Sequence, residues 1–242
     1  VNAQIDAGLR NKTRLNHSAT HLLHEALRRD LGDHILQRGS LVDSQRLRFD
    51  FSHGEPVSNE ALQIITGVVN QQIRANEAVA TELMTLDDAI EAGAMALFGE
   101  KYGDEVRVID IPGLSVELCG GTHVSRTGDI GLFRIASESS VAAGVRRIEA
   151  CTGRFAVQTV QAQDAAVQDL AELLRSPIDQ MADAVQRMMD DRKRLTNELS
   201  QLKRDLARQK SGDLTTQVRE VNGIKVVSAE VDVDAKTLRT EA

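Results

Sequence analysis

The chain is predicted to form a mixed α+β domain followed by a long helical segment, and three patterns carry that prediction. Leu22, Leu23, Leu27 and Leu31 recur at helical spacing. Leu47, Phe49 and Phe51 alternate with Arg48, Asp50 and Ser52, the period of a strand with one buried face. From Thr152 onward almost every segment keeps the helical period. Helices and strands alternate irregularly before that point, which separates the chain from a doubly wound parallel fold.

Residues 1–12 show no strong pattern and do not begin with methionine, so they read as a linker from a region that precedes this chain. A helix of about four turns is expected from Leu15, with Gly32 as its left-handed stop. Ser58 is a suitable cap for a second helix carrying Ala61, Leu62, Ile65, Val68, Val69 and Ile73. A short helical piece near 87–92 and strands near 96–98, 106–111, 116–118, 131–135 and 146–150 complete a domain over 13–151.

Residues 152–212 are expected to be a helical linker. Ser176-Pro177 marks a break, with Ser as cap and Pro at the first helical position. Beyond it Met181, Val185, Met188, Leu195, Leu199, Leu202 and Leu206 follow four- and three-residue steps, interrupted only at Arg192. Such a stripe fits either a coiled-coil seam or an amphipathic helix lying on its own domain. Residues 213–242 read as the start of a truncated α/β piece. There Asn222-Gly223 joins Val218–Val221 to Ile224–Val227 as a two-residue hairpin, and a helix begins after Asp234.

The 242 residues contain only Cys119 and Cys151, too few for a disulfide framework. No run approaches the roughly 18 apolar residues of a membrane span, and the N-terminus lacks a signal-peptide pattern, so no membrane partner and a cytoplasmic location are expected. The net charge of −7 gives no long-range attraction for a polyanion. Binding to one RNA end would have to rest on local cations such as Arg38, Arg46, Arg48, Arg146 and Arg147, each of which also fits a solvated surface charge.

The chemistry-bearing residues form two distant dyads. His17 and His21 lie four apart, on one face of the first helix, and His24 continues that face. Cys119 and His123 are also four apart, flanking Gly120, Gly121 and Thr122. Three imidazole nitrogens and one thiolate suit tetrahedral Zn²⁺. Cys119 as a small buried hydrophobe is the alternative, and that reading is the better one for Cys151. A bound ion could be a structural staple or a reaction centre; a domain of this size with its own core does not need a staple. The chain has no Gly-x-Ser-x-Gly elbow, phosphate-cradling loop or dinucleotide fingerprint.

The segments 17–24 (HSATHLLH), 47–53 (LRFDFSH), 93–102 (GAMALFGEKY) and 117–123 (ELCGGTH) together closely resemble the editing domain of bacterial alanyl-tRNA synthetases. The resemblance is dense over residues 13–151 and thinner over the helical segment and hairpin that follow. It implies an editing domain of the type shared by threonyl- and alanyl-tRNA synthetases. The implied activity is hydrolysis of the ester that links serine or glycine to tRNA(Ala), with the tRNA acceptor end as partner and one Zn²⁺ per chain.

On this resemblance His17, His21, Cys119 and His123 match the zinc ligands and Gln37 matches a pocket position. Thr20 is placed where it can face the same cavity, and Gly120 and Gly121 let the backbone meet the substrate end. ATP and Mg²⁺ would serve an aminoacylation domain that this chain lacks, and a homodimer could form through the C-terminal region. Two other readings remain open: a free-standing editing protein or the related threonyl domain, and a non-catalytic, zinc-stapled RNA-binding module.

Overall fold

A computed structural model describes residues 3–94, 103–212 and 218–226. The expected strand at 96–98, most of the 93–102 motif and the helix after Asp234 lie outside the described residues. Two units are distinguished, Val1–Asp164 and Ala165–Ala242.

The first unit opens with α1 (Ala7–Leu31), which starts well before the apolar periodicity does. Asp6 caps it by accepting from the Leu9 N–H at 2.9 Å. Residues 7–12 are exposed, so they show no apolar pattern while still being helical. Gly32 ends the helix at a positive φ of 113°, as glycine permits, but its ψ of 169° is extended and not the left-handed helical stop expected.

Four strands form one antiparallel sheet in the order β1 (Gln37–Val42), β2 (Leu47–Ser52), β7 (Val145–Thr152), β6 (Phe133–Ala142). The helix α2 (Asn59–Ala75) is capped by Ser58, as its sequence predicts. Both α1 and α2 pack on this sheet and on each other. Leu22, Leu23, Leu27, Phe49, Phe51, Ile65, Val69, Phe133 and Ile148 form the core between them. Burial of aromatic side chains at 0 % exposure dominates its stability; truncating Phe49 to alanine would cost about 3–5 kcal/mol.

A second, three-stranded antiparallel sheet runs β3 (Ala80–Thr85), β4 (Glu105–Ile111), β5 (Ser115–Leu118), with α3 (Leu86–Glu91) beside it. Val106 and Val108 join Ala89 and Leu118 in a small core, while Ile109 and Ile111 reach the main one. The small sheet is thereby joined to the main core through one face of β4, its other face being covered by α3, and β5 also meets α1. Contact with both sheets buries α1 beyond a single stripe: polar Asn16, Ser18, Thr20, His21 and His24 are all 7 % exposed or less.

The helix α4 (Gly153–Leu174) follows β7 directly. The second unit holds α5 (Met181–Gly212) and the hairpin β8 (Arg219–Val221)–β9 (Ile224–Val226). Asn222 and Gly223 both have positive φ, 52° and 79°, which is the turn expected of Asn-Gly. At the break, Pro177 sits one position earlier than predicted, as the cap residue of a short 3₁₀ turn, and the Ser176 side chain makes no capping bond there. The apolar seam of α5 is open to solvent, with Leu195, Leu199, Leu202 and Leu206 between 55 % and 66 % exposed. No described helix is long and apolar enough to cross a membrane.

Candidate metal centre

His17 and His21 project from the middle of α1 toward the loop that leaves β5, and that loop brings Cys119 and His123 to meet them. Their four potential ligand atoms all lie within 4.8 Å of one another. The Cys119 Sγ is 3.5 Å from His17 Nε2 and 3.3 Å from His123 Nε2. Zinc–ligand bonds of about 2.0–2.3 Å put the edges of a tetrahedral site at roughly 3.3–3.8 Å, so these spacings suit one ion. The cluster can hold a metal ion such as zinc.

Two further features fit a metal. His21 Nε2 is buried and has no hydrogen-bond partner, while the opposite nitrogen, Nδ1, lies 2.6 Å from Glu117 Oε2. A carboxylate behind one imidazole nitrogen, leaving the other aimed at a cluster of donors, is the arrangement that orients metal-binding histidines. Glu117 is itself held by the Ser115 hydroxyl, which donates to Oε1 at 2.6 Å. On the other side, Ser18 Oγ lies 3.2 Å from His123 Nδ1 and accepts from the Val124 N–H at 3.0 Å. The site also opens outward, because His17 and Cys119 are half-buried and Gly120 is exposed.

Electrostatics prepare the donors. Burial opposes ionisation of the Cys119 thiol, but hydrogen bonds with His123 and His17, together with the nearby charge of His21, outweigh it and lower its pKa to about 3. Burial likewise opposes charge on His21, yet the Glu117 carboxylate raises it to about 10. Glu117 is lowered to about 2, its own burial being outweighed by His21. His123 is lowered, chiefly by burial.

In the metal-free protein these shifts set the sign of the pH dependence. The His21 contribution is full below its ordinary pKa of 6.5 and is lost as pH rises through about 10. The Cys119 contribution is full above 9.0 and is lost as pH falls toward about 3. Glu117 adds to the acid loss below 4.5. Urea unfolding of zinc-free protein should therefore show stability climbing from acid to pH 6.5, level to 9.0 and falling above it. A maximum below pH 5 would contradict these assignments.

The remaining residues expected at the site are placed as follows. Thr20 is buried at 4 % exposure, and its hydroxyl donates to the Asn16 carbonyl at 2.9 Å. Gln37 begins β1, half-buried, opposite Phe51 and next to a bulge. Gly121 has a reason the sequence does not reveal: a Cβ there would overlap the His17 ring, whereas one on Gly120 would meet nothing within 4 Å. His24 is buried against Phe49, 5.1 Å between ring centroids, and its pKa is lowered chiefly by burial.

Glu117, Ser18 and Ser115 are contributors that motif reading passes over. The one available signal was a glutamate on the inward side of a strand, two residues before the cysteine. Four of the five arginines singled out as local cations are ion-paired on the sheet: Arg46 with Glu149, Arg48 and Arg147 with Asp50, and Arg146 with Glu138. Asp50–Arg147 is a directly opposed cross-strand pair, so sheet pairing accounts for it. A groove of about 980 Å³ between α2 and β6, lined by residues including Gln63, Arg74 and Arg134, contains none of the four cluster residues.

Residues 106–149, which carry Glu117, Cys119 and His123, match the family described as the threonyl and alanyl tRNA synthetase second additional domain, a domain associated with aminoacyl-tRNA synthetase editing.

Proposed function

We propose that this chain is the editing region of an alanyl-tRNA synthetase, hydrolysing the ester of serine or glycine on tRNA(Ala) at a zinc centre held by His17, His21, Cys119 and His123. The observation that carries the proposal is the meeting of two dyads about 100 residues apart in a single cluster open to the surface, one dyad of which lies in the editing-type segment 106–149. Both synthetase classes are covered by the family description. The alanyl enzyme is favoured by the motifs at 17–24 and 47–53 and by the long helix and hairpin downstream, which resemble that enzyme's later regions.

When bound, zinc in this ligand set supplies Lewis acidity for an ester carbonyl, a substrate amine or a water. The chain's own residues prepare the place. Glu117 fixes the ring of His21 so that Nε2 faces the cluster. Cys119 supplies the anionic ligand, and Ser18 orients His123. The exposed backbone at Gly120 leaves room for the substrate end beside the ligands.

Serine exceeds alanine by one hydroxyl, a difference that a small synthetic pocket rejects weakly but a hydrogen-bonding second site can use strongly. Gln37 and Thr20 are the proposed contacts. The Thr20 proton is donated to Asn16, which leaves the hydroxyl oxygen as an acceptor for a serine hydroxyl. Gln37→Leu and Thr20→Val, compared on seryl- and alanyl-tRNA(Ala), should narrow the preference for the seryl ester about tenfold or more in at least one variant. Unchanged discrimination in both would remove these two residues from the pocket.

No covalent intermediate is expected, because the Thr20 hydroxyl donates to the Asn16 carbonyl and, among the described residues, no base is hydrogen-bonded to the hydroxyl of Thr20 or Thr122; trapping an acyl-enzyme would overturn this mechanism. Tight RNA binding with no ester hydrolysis would instead identify a zinc-stapled binding module. The exposed seam of α5 is proposed to pair with a second copy, which would make the protein a dimer through its C-terminal region.

A further inference from the structure

We propose that Arg107 is a positioning residue of the metal centre, holding the loop between Cys119 and His123 in the conformation that lets both side chains reach one ion. The inference rests on the metal-binding reading above.

Two of the three residues between these ligands are glycines. A glycine has the most backbone freedom to lose and no side chain with which to anchor itself. The space around Gly120 is open, and the His17 ring lies where a Cβ on Gly121 would be. Order in this loop must therefore come from groups outside it. Ser18, on α1, secures the far end through the Val124 N–H and the His123 ring.

Arg107, on β4, secures the near end. Its Nη1 donates to the Gly121 carbonyl at 2.7 Å and, more weakly, to the Gly120 carbonyl at 3.4 Å. Its own carbonyl accepts from the Cys119 N–H at 3.0 Å, extending the β4–β5 pairing by one step. One residue thus grips the chain at Cys119, Gly120 and Gly121. The backbone bond survives any substitution at 107, whereas the bonds from the guanidinium do not. Without them two adjacent carbonyls lose their cationic donor, and the Gly-Gly pair is free to swing Cys119 and His123 apart.

The test is chelator competition for Zn²⁺ with the full chain, its Arg107→Ala and its Arg107→Lys variants, alongside absorption spectra of the Co²⁺-substituted proteins. Outer-shell partners of metal ligands typically carry about 10–100-fold in affinity, and a loss of that size is expected in Arg107→Ala. The Co²⁺ spectrum should lose intensity in its tetrahedral d–d bands and its thiolate charge-transfer band. Arg107→Lys should fall between, since an ammonium keeps the charge but is a single-point donor. Far-UV circular dichroism of the metal-free variants checks that the fold is intact.

Wild-type affinity and an unaltered Co²⁺ spectrum in Arg107→Ala would overturn the proposal. Should that variant fail to fold, wild-type values in Arg107→Lys would do so. Absence of zinc binding in the wild-type chain would sink the metal reading itself, whereas tight wild-type binding that ignores Arg107 would sink only this inference.

Discussion

Cys119→Ala is expected to weaken zinc binding by a hundredfold or more while leaving the fold in place. A four-ligand site of this kind is worth about 10–16 kcal/mol, so an even share for one ligand is roughly 3 kcal/mol or somewhat more. Cysteine contributes the only anionic ligand of the four, which makes an even share a low figure. The fold should survive because the main core is built on Leu22, Phe49, Phe51 and Ile65, and Cys119 only packs against its edge as a half-buried residue. Zinc titration followed by competition, with far-UV circular dichroism of the same samples, checks both parts. Near wild-type zinc affinity in the alanine variant would mean that Cys119 is not a ligand.

Gly121→Ala is the second large effect, and it separates the metal role of this glycine from a substrate role. The added Cβ would fall on the His17 ring, so either the ring or the loop has to move, and both belong to the site. Overpacking of this kind costs about 1–3 kcal/mol, equivalent to roughly 5- to 150-fold in zinc affinity. The strain need not reach global stability, since an imidazole can rotate away at the expense of the metal alone. Gly120→Ala is the matched control. It meets nothing within 4 Å, so zinc affinity should hold while ester hydrolysis drops if the substrate passes along that backbone. Equal zinc affinity in Gly121→Ala and the wild type would show that His17 is free to leave its position without consequence.

Much of the fold is legible in the residues because burial imposes a period. The α1 leucines, the alternation of β2, the Ser58 cap and the Asn-Gly turn each follow from a local rule and appear where that rule places them. The strands β1 and β3 escape the same reading. Both sit at sheet edges, and no residue in either is fully buried, so no apolar alternation is written into them. The first two turns of α1 escape for the same reason.

At the site, the four donors are legible because both dyads have a spacing of four and one contains a scarce cysteine. Their supports are not. Glu117 lies 96 residues from His21, and Ser18 lies 106 from Val124, so each pairing exists only once α1 has docked beside β5. Gly121 is instructive in the same way. Its sequence context suggests a backbone left bare for a ligand, and the three-dimensional reason is a histidine ring already there.

The proposed hydrolysis depends on a metal ion held by these four side chains. Its most direct measurement is the rate of serine release from seryl-tRNA(Ala) as a function of zinc occupancy, with the full chain stripped and reloaded stepwise. The rate should be proportional to bound zinc up to one ion per chain. Serine release that continues unchanged in the stripped protein, or none from the fully loaded one, would contradict it.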